Sequence, residues 1–230
     1  MTPPVAVSIR GRVVRIAGDG PAKGRPRREE VTVGRVVVVE NLTLDGVMQA
    51  PGGADEDTRG GFGHGGWARP YADPVIAEKM GMGRAMSGDG GLLFGRRTYE
   101  QFHGFWPKQT DGNPFTEVLD RRRKYVASRS LLEPLPWRNS VLVRGDAADS
   151  VAALKRDVEG DLVVLGSGEL VRSLTRAGLV DVYTLAIHPL TLGTGTRLFA
   201  EGEHAYGTLE LVEASPAPNG VIVATYRPAS

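Results

Sequence analysis

Three short stretches of the 230-residue chain carry residue types whose spacing could do chemistry. In "LLFGRRTYEQF", residues 92–102, an apolar run stops at Gly95, and Arg96, Arg97 and Thr98 follow before the pattern turns amphipathic. A glycine lets backbone approach a ligand, the first amides of a helix attract anions, and guanidinium forks grip phosphate in a bidentate way. One phosphate-bearing ligand accounts for all four residues; a strand-end glycine followed by solvated arginines is the plainer reading. In "KYVASRS", Ser128, Arg129 and Ser130 place two hydroxyls around one guanidinium, a second phosphate cradle or a polar turn. In "DLVVLGSGEL", Gly166, Ser167 and Gly168 join a buried run to a helix that begins with Glu169 and Leu170. This has the mechanics of a phosphate loop but not the dinucleotide fingerprint, because Val171 stands where the third glycine belongs.

These joints need a scaffold that brings them together. Apolar runs alternate with helical patterns from "RVVVVENLTLDG" onward: "PVIAEKMGMGRAM" after Asp73, "TYEQFHGFW", "AADSVAALKRDV" and "ELVRSLTRAG" closed by Gly178 read as helices. Such alternation predicts a mainly parallel sheet with helices on both faces, whose ligands collect beyond the carboxyl ends of the strands. The last segment, "TLELVEASPAPNGVIVATYR", reads as an antiparallel hairpin, so the sheet is mixed. Between the first strand and the first helix runs a long glycine-rich loop, "APGGADEDTRGGFGHGGW". Residues 1–34 hold one possible strand, residues 5–16, and a Gly/Pro-bearing basic stretch; they read as an N-terminal appendage to a domain spanning 35–230.

Composition removes several functions. No cysteine is present, which excludes thiolate metal sites and cysteine nucleophiles, and the four histidines are scattered, so no metal centre is expected. The appendage carries seven Lys/Arg against three Asp/Glu, leaving 21 against 24 elsewhere, with no basic face for nucleic acid. No apolar run reaches the length of a membrane span, and the expected location is cytoplasmic. The strand after the glycine joint ends without an acidic residue to hold a ribose hydroxyl, whereas arginines suit a 2′-phosphate; the joints together point to NADPH rather than NADH.

The ordered set "NLTLDG", "LLFGRRTYEQF", "KYVASRS", "VVLGSGELVRSL" and "GLVDVYTLAIHPLTLGTGTRLF" resembles the dihydrofolate reductase-like superfamily, in particular the RibD carboxy-terminal reductase domain of riboflavin biosynthesis. The likeness runs through nearly all of residues 35–227. It implies a three-layer α/β/α fold, NADPH-dependent reduction and a homodimer. It places residues 95–98 and 128–130 near the adenosine side of the cofactor and residues 166–170 under its pyrophosphate and nicotinamide. It also sets Asp45 at the acidic position facing the substrate cleft, although Asp-Gly is equally a turn signal. Phe62 and Trp67 could close over a flat heterocycle or pin the loop to the core. His64 and His188 read as a polar loop residue and a strand-end residue. The chain lacks the zinc deaminase half of the two-domain enzymes and the substrate-side carboxylate helix of true dihydrofolate reductase. The expected activity is hydride transfer from NADPH to a small pterin, pyrimidine, imine or carbonyl compound, with Asp45 or water as proton source. A non-catalytic nucleotide- or metabolite-binding protein and a flavin-dependent enzyme are the alternatives.

Overall fold

A computed structural model describes residues 34–80, 88–110, 112–199 and 207–229. The four consecutive valines of the first strand, β1 (Arg35–Thr43), alternate between two cores. Val36 and Val38 point into one cluster with Leu170, Val171 and Leu174, and Val37 and Val39 into the other with Ile76, Tyr99 and Leu119. A strand buried on both faces must read as a continuous apolar run, and this one does.

The remaining strands are β2 (Gly91–Gly95), β3 (Lys124–Ala127), β4 (Ser140–Val143), β5 (Asp161–Leu165), β6 (Val182–His188), β7 (Leu209–Pro216) and β8 (Ile222–Pro228). They form one eight-stranded sheet in the order β4-β3-β2-β5-β1-β6-β8-β7. The first six strands pair in parallel, while β8 runs antiparallel to both β6 and β7. Helices α1 (Pro74–Lys79), α2 (Arg96–Phe105) and α3 (Pro114–Arg121) cover one face. Helices α4 (Ala147–Asp157) and α5 (Gly168–Arg176) cover the other. The three-layer α/β/α arrangement with an antiparallel C-terminal pair is the one the alternation of patterns predicts.

Local chemistry explains most boundaries. Asp73 accepts a hydrogen bond from Val75 N and puts Pro74 in the first turn of α1. The expected extension of this helix through "MGMGRAM" falls mostly on residues 81–87, outside the described residues. Gly178, at φ +66°, ends α5 where Leu179 N returns to Leu174 O. Helix α3 was not expected from the pattern, yet its start carries a legible signal, Asn113 bonded to Phe115 N with Pro114 next. Of the expected appendage only Gly34 is described, and the candidate strand at 5–16 lies outside the described residues.

Candidate functional site

The parallel pairing sets the three joints along one edge. Gly95 is level with Ala127, Leu93 with Val164, and Val39 with Leu165. Arg96, Ser128 and Gly166 therefore leave the sheet on the same rim, in the order β3, β2, β5, while Glu40, next after Val39, is still paired within β1 beside Leu185 of β6.

Two of the joints are tied together. Ser167 adopts a left-handed conformation, φ 61° and ψ 41°, which costs a non-glycine residue about 1–3 kcal/mol. In that conformation its hydroxyl accepts from Gly95 N at 3.0 Å, while its own amide donates to Thr98 Oγ1 at 3.0 Å. Both side chains are thus spent on holding β2–α2 against β5–α5. The consequence is at the helix ends. Neither α2 nor α5 has a side chain capping its first turn, whereas α1, α3 and α4 are capped by Asp73, Asn113 and Asp146. First-turn amides left without a side-chain acceptor, on two neighbouring helices, are a place for an anion.

Guanidiniums surround this place. Arg96 pairs with Glu100 one turn along at 3.1 Å, and Arg97 reaches Glu169 at 2.5 Å. Glu169 also lies 3.7 Å from Arg59, a residue of the long loop that the pattern of the sequence does not single out. Arg59 is anchored in turn by Asp57. The pairs made by Glu100 and Glu169 are well exposed, and such pairs are worth only about 0–1 kcal/mol each, so exchanging those carboxylates for a phosphate costs little. Leu170 is core, with only its amide at the turn.

The second joint is a turn first. Ser128 is buried, and its hydroxyl accepts from Ser130 N and Leu131 N at 3.2 and 3.1 Å. Arg129 and Ser130 are exposed beside it. Nor does every glycine mark a ligand. A Cβ on Gly168 would strike Met48 Sδ at 2.6 Å, so that residue is small to admit the loop after β1. At Gly95 a Cβ would stand 3.7 Å from Leu170, an ordinary contact, and the backbone there is extended.

Asp45 clasps a distant loop. Its carboxylate accepts from Thr43 Oγ1 at 2.6 Å, Leu192 N at 3.2 Å and Gly193 N at 2.8 Å, with Arg197 Nη2 at 3.4 Å. The Thr43 hydroxyl, followed by the backbone amides, holds its pKa at about 2, so it stays ionised. The proton-donor role expected of Asp45 finds no support in this geometry, because every partner bonds the ionised form. Phe62 and Trp67 are both buried in a small satellite core with Val47 and Ala50, which is the loop-pinning alternative. Trp67 donates from Nε1 to Gln49 O at 2.7 Å, and its edge meets His188 at 5.2 Å between ring centroids. A cleft of about 280 Å³ opens between Arg59, Phe62 and the 194–196 turn.

Two buried polar groups, Glu40 within β1 and His188 at the end of β6, lie beside the rim. Glu40 is 4% exposed, lies under the loop carrying Glu56, and has an Oε1 without a hydrogen-bond partner among the described residues. His188 is 2% exposed; Nε2 meets Asn41 Oδ1 at 3.0 Å and Nδ1 has no partner among the described residues. Burial lowers its pKa to about 4, so the ring is neutral near pH 7. Glu40 was legible only as an acid ending a valine run. Among the described residues no cluster of three metal-ligating side chains occurs, and no helix is long and apolar enough to cross a membrane.

Known proteins share this arrangement of elements. Residues 35–223 match the family described as RibD C-terminal domain. The uncharacterized protein YyaP of Bacillus subtilis (strain 168) is 24% identical over 195 residues, 84% of this chain and 94% of that one. A putative riboflavin biosynthesis protein from Shewanella sp. PV-4 superposes with a TM-score of 0.64 at 20% identity, over 86% of this chain and 99% of that one. Dihydrofolate reductase from Enterococcus faecalis, complexed with NADP(H), does so with a TM-score of 0.54 at 15% identity, over 86% and 98%. The chain belongs to the RibD C-terminal domain family.

Proposed function

We propose that this protein is an NADPH-dependent reductase acting on a small heterocycle or on a carbonyl or imine compound. The observation that carries the reading is the pair of uncapped helix starts, α2 and α5, locked side by side and ringed by Arg59, Arg96 and Arg97. These residues fit a dinucleotide: the first-turn amides would hold pyrophosphate oxygens, and Arg96, Arg97 and Arg129 would suit the 2′-phosphate. When bound, NADPH supplies the hydride. The chain's own residues bind and orient it, and the loop carrying Phe62 and Trp67 keeps water from the rim. A homodimer fits the edge strand β7, which pairs only with β8 among the described residues and leaves Leu209, Leu211 and Val212 exposed.

Thermal unfolding with added nucleotide tests the reading. A ligand bound only by the folded state at a hundred times its dissociation constant stabilises by about 2.7 kcal/mol, a shift of several degrees. NADPH should raise the midpoint, and NADH should raise it less at equal concentration. No shift with millimolar NADPH rejects the cofactor; binding without oxidation by any acceptor leaves the non-catalytic alternative.

A further inference from the structure

Resting on that reading, we propose that Glu40 lies at the nicotinamide end of the bound dinucleotide and is the acid that delivers the proton of the reduction. The argument begins with polarity. Passing from Ser128 at the end of β3 to Glu40 on β1 crosses β2 and β5, about three strand spacings or ~14 Å. Arg96 and Arg97 follow β2 and Arg129 follows β3, with Arg97 and Arg59 reaching across to Glu169 on α5, and the uncapped helix starts occupy β2 and β5. A dinucleotide whose phosphorylated adenosine faces the arginines therefore brings its reactive ring toward β1.

Glu40 is the acid found there. It follows Val39, which is level with Leu165, so its carboxyl stands beside the Gly166 turn, whose amide donates to it. One oxygen has no partner among the described residues, although the residue is 96% removed from solvent by its 4% exposure. A buried carboxylate so poorly served is costly, and a neutral carboxylic acid is not. Burial first, and the neighbouring Glu56 carboxyl second, push its pKa well above the ordinary range. Glu56 itself is held in the loop by Gly52 N and Gly53 N at 2.6 and 2.9 Å. On α5, Arg172 donates from Nη1 to the Arg197 carbonyl at 3.2 Å. Of the other titratable groups nearby, Glu56 has its Oε2 taken by the two amides, Asp45 is ionised, and His188 is neutral without a proton to spare on Nδ1.

The step balances. Hydride adds to the carbon of a C=N or C=O bond, the electron pair of that bond moves to nitrogen or oxygen, and that atom takes the Glu40 proton. Glu40 is left as a carboxylate beside the positively charged ring of NADP+, and water returns its proton later.

Proton counting tests this without turnover. Because the ring of NADP+ is cationic and that of NADPH is not, a neutral Glu40 at the ring ionises on NADP+ binding alone. Calorimetric titrations in buffers of different ionisation enthalpy should show more protons released on binding NADP+ than on binding NADPH. The Glu40→Gln variant, an isostere of the neutral acid, should bind NADPH as before, release no proton with NADP+, and lose the infrared carbonyl band of a protonated carboxyl. Equal proton counts for both nucleotides, unchanged by Glu40→Gln, overturn the role of Glu40 while leaving nucleotide binding intact. Failure of both nucleotides to bind removes the cofactor reading itself.

Discussion

The five α-helices among the described residues divide by how their first turns are finished. Three begin with an Asp or Asn whose side chain closes the turn: α1 after the long loop, α3 before β3, and α4 after β4. The two that directly follow β2 and β5 go without, although a good cap is worth about 1 kcal/mol. Ser167 could have closed α5 but turns instead to Gly95. On the proposed reading, what separates the two groups is that the amides of α2 and α5 are left for a ligand. The withheld cap then marks the ligand end where the glycine beside it does not, since Gly168 is small to accommodate Met48.

The most drastic way to break this contrast is to give α2 the cap it lacks. Gly95→Asp fits the extended backbone and the ordinary spacing to Leu170, and its carboxylate should take the first-turn amides. Unfolding stability should rise by up to about 1 kcal/mol while NADPH binding falls below detection, because like charges brought together cost several kcal/mol. Calorimetry and denaturation together check both halves, and undiminished NADPH affinity would end the contrast. Next in size is the loss of the guanidiniums. Arg96→Ala with Arg97→Ala should weaken NADPH about tenfold to a hundredfold and NADH much less, at 1.5–3 kcal/mol for bonds to charged groups. Equal losses would remove the 2′-phosphate from the argument. Smallest is the reverse operation on a capped helix: Asp146→Ala removes the acceptor of Ala148 N and Asp149 N. It should cost about 1 kcal/mol in urea unfolding and leave nucleotide binding where it was.

Much of this architecture was legible because burial writes itself into the sequence. Val36 to Val39 could only be a strand covered on both sides, and Asp73-Pro74 could only start a helix at one place. The rim positions were legible for the same reason, as whatever follows a buried run. What short polar residues do there was not. Asp45 and Ser128 can serve a ligand or a turn equally well, and the choice depends on which donors reach their oxygens. For Asp45 two of those donors stand 147 and 148 positions away, at Leu192 and Gly193, beyond any local pattern. Arg59 escaped because an aperiodic loop gives no register to say which way a side chain faces. Glu40 escaped because its importance is a missing hydrogen bond, and a sequence does not record what is absent from a side chain's surroundings.

The hydroxyl that joins Gly95 to Ser167 also gives the rim an internal gauge. The amide it engages belongs to one joint and the oxygen to another, 72 positions apart, so the Gly95 proton can exchange with heavy water only when the two helix starts separate. Its exchange rate thus reads the opening of the whole jaw from a single nucleus. Anything that grips both sides at once should slow that exchange far more than the exchange of amides elsewhere in the sheet.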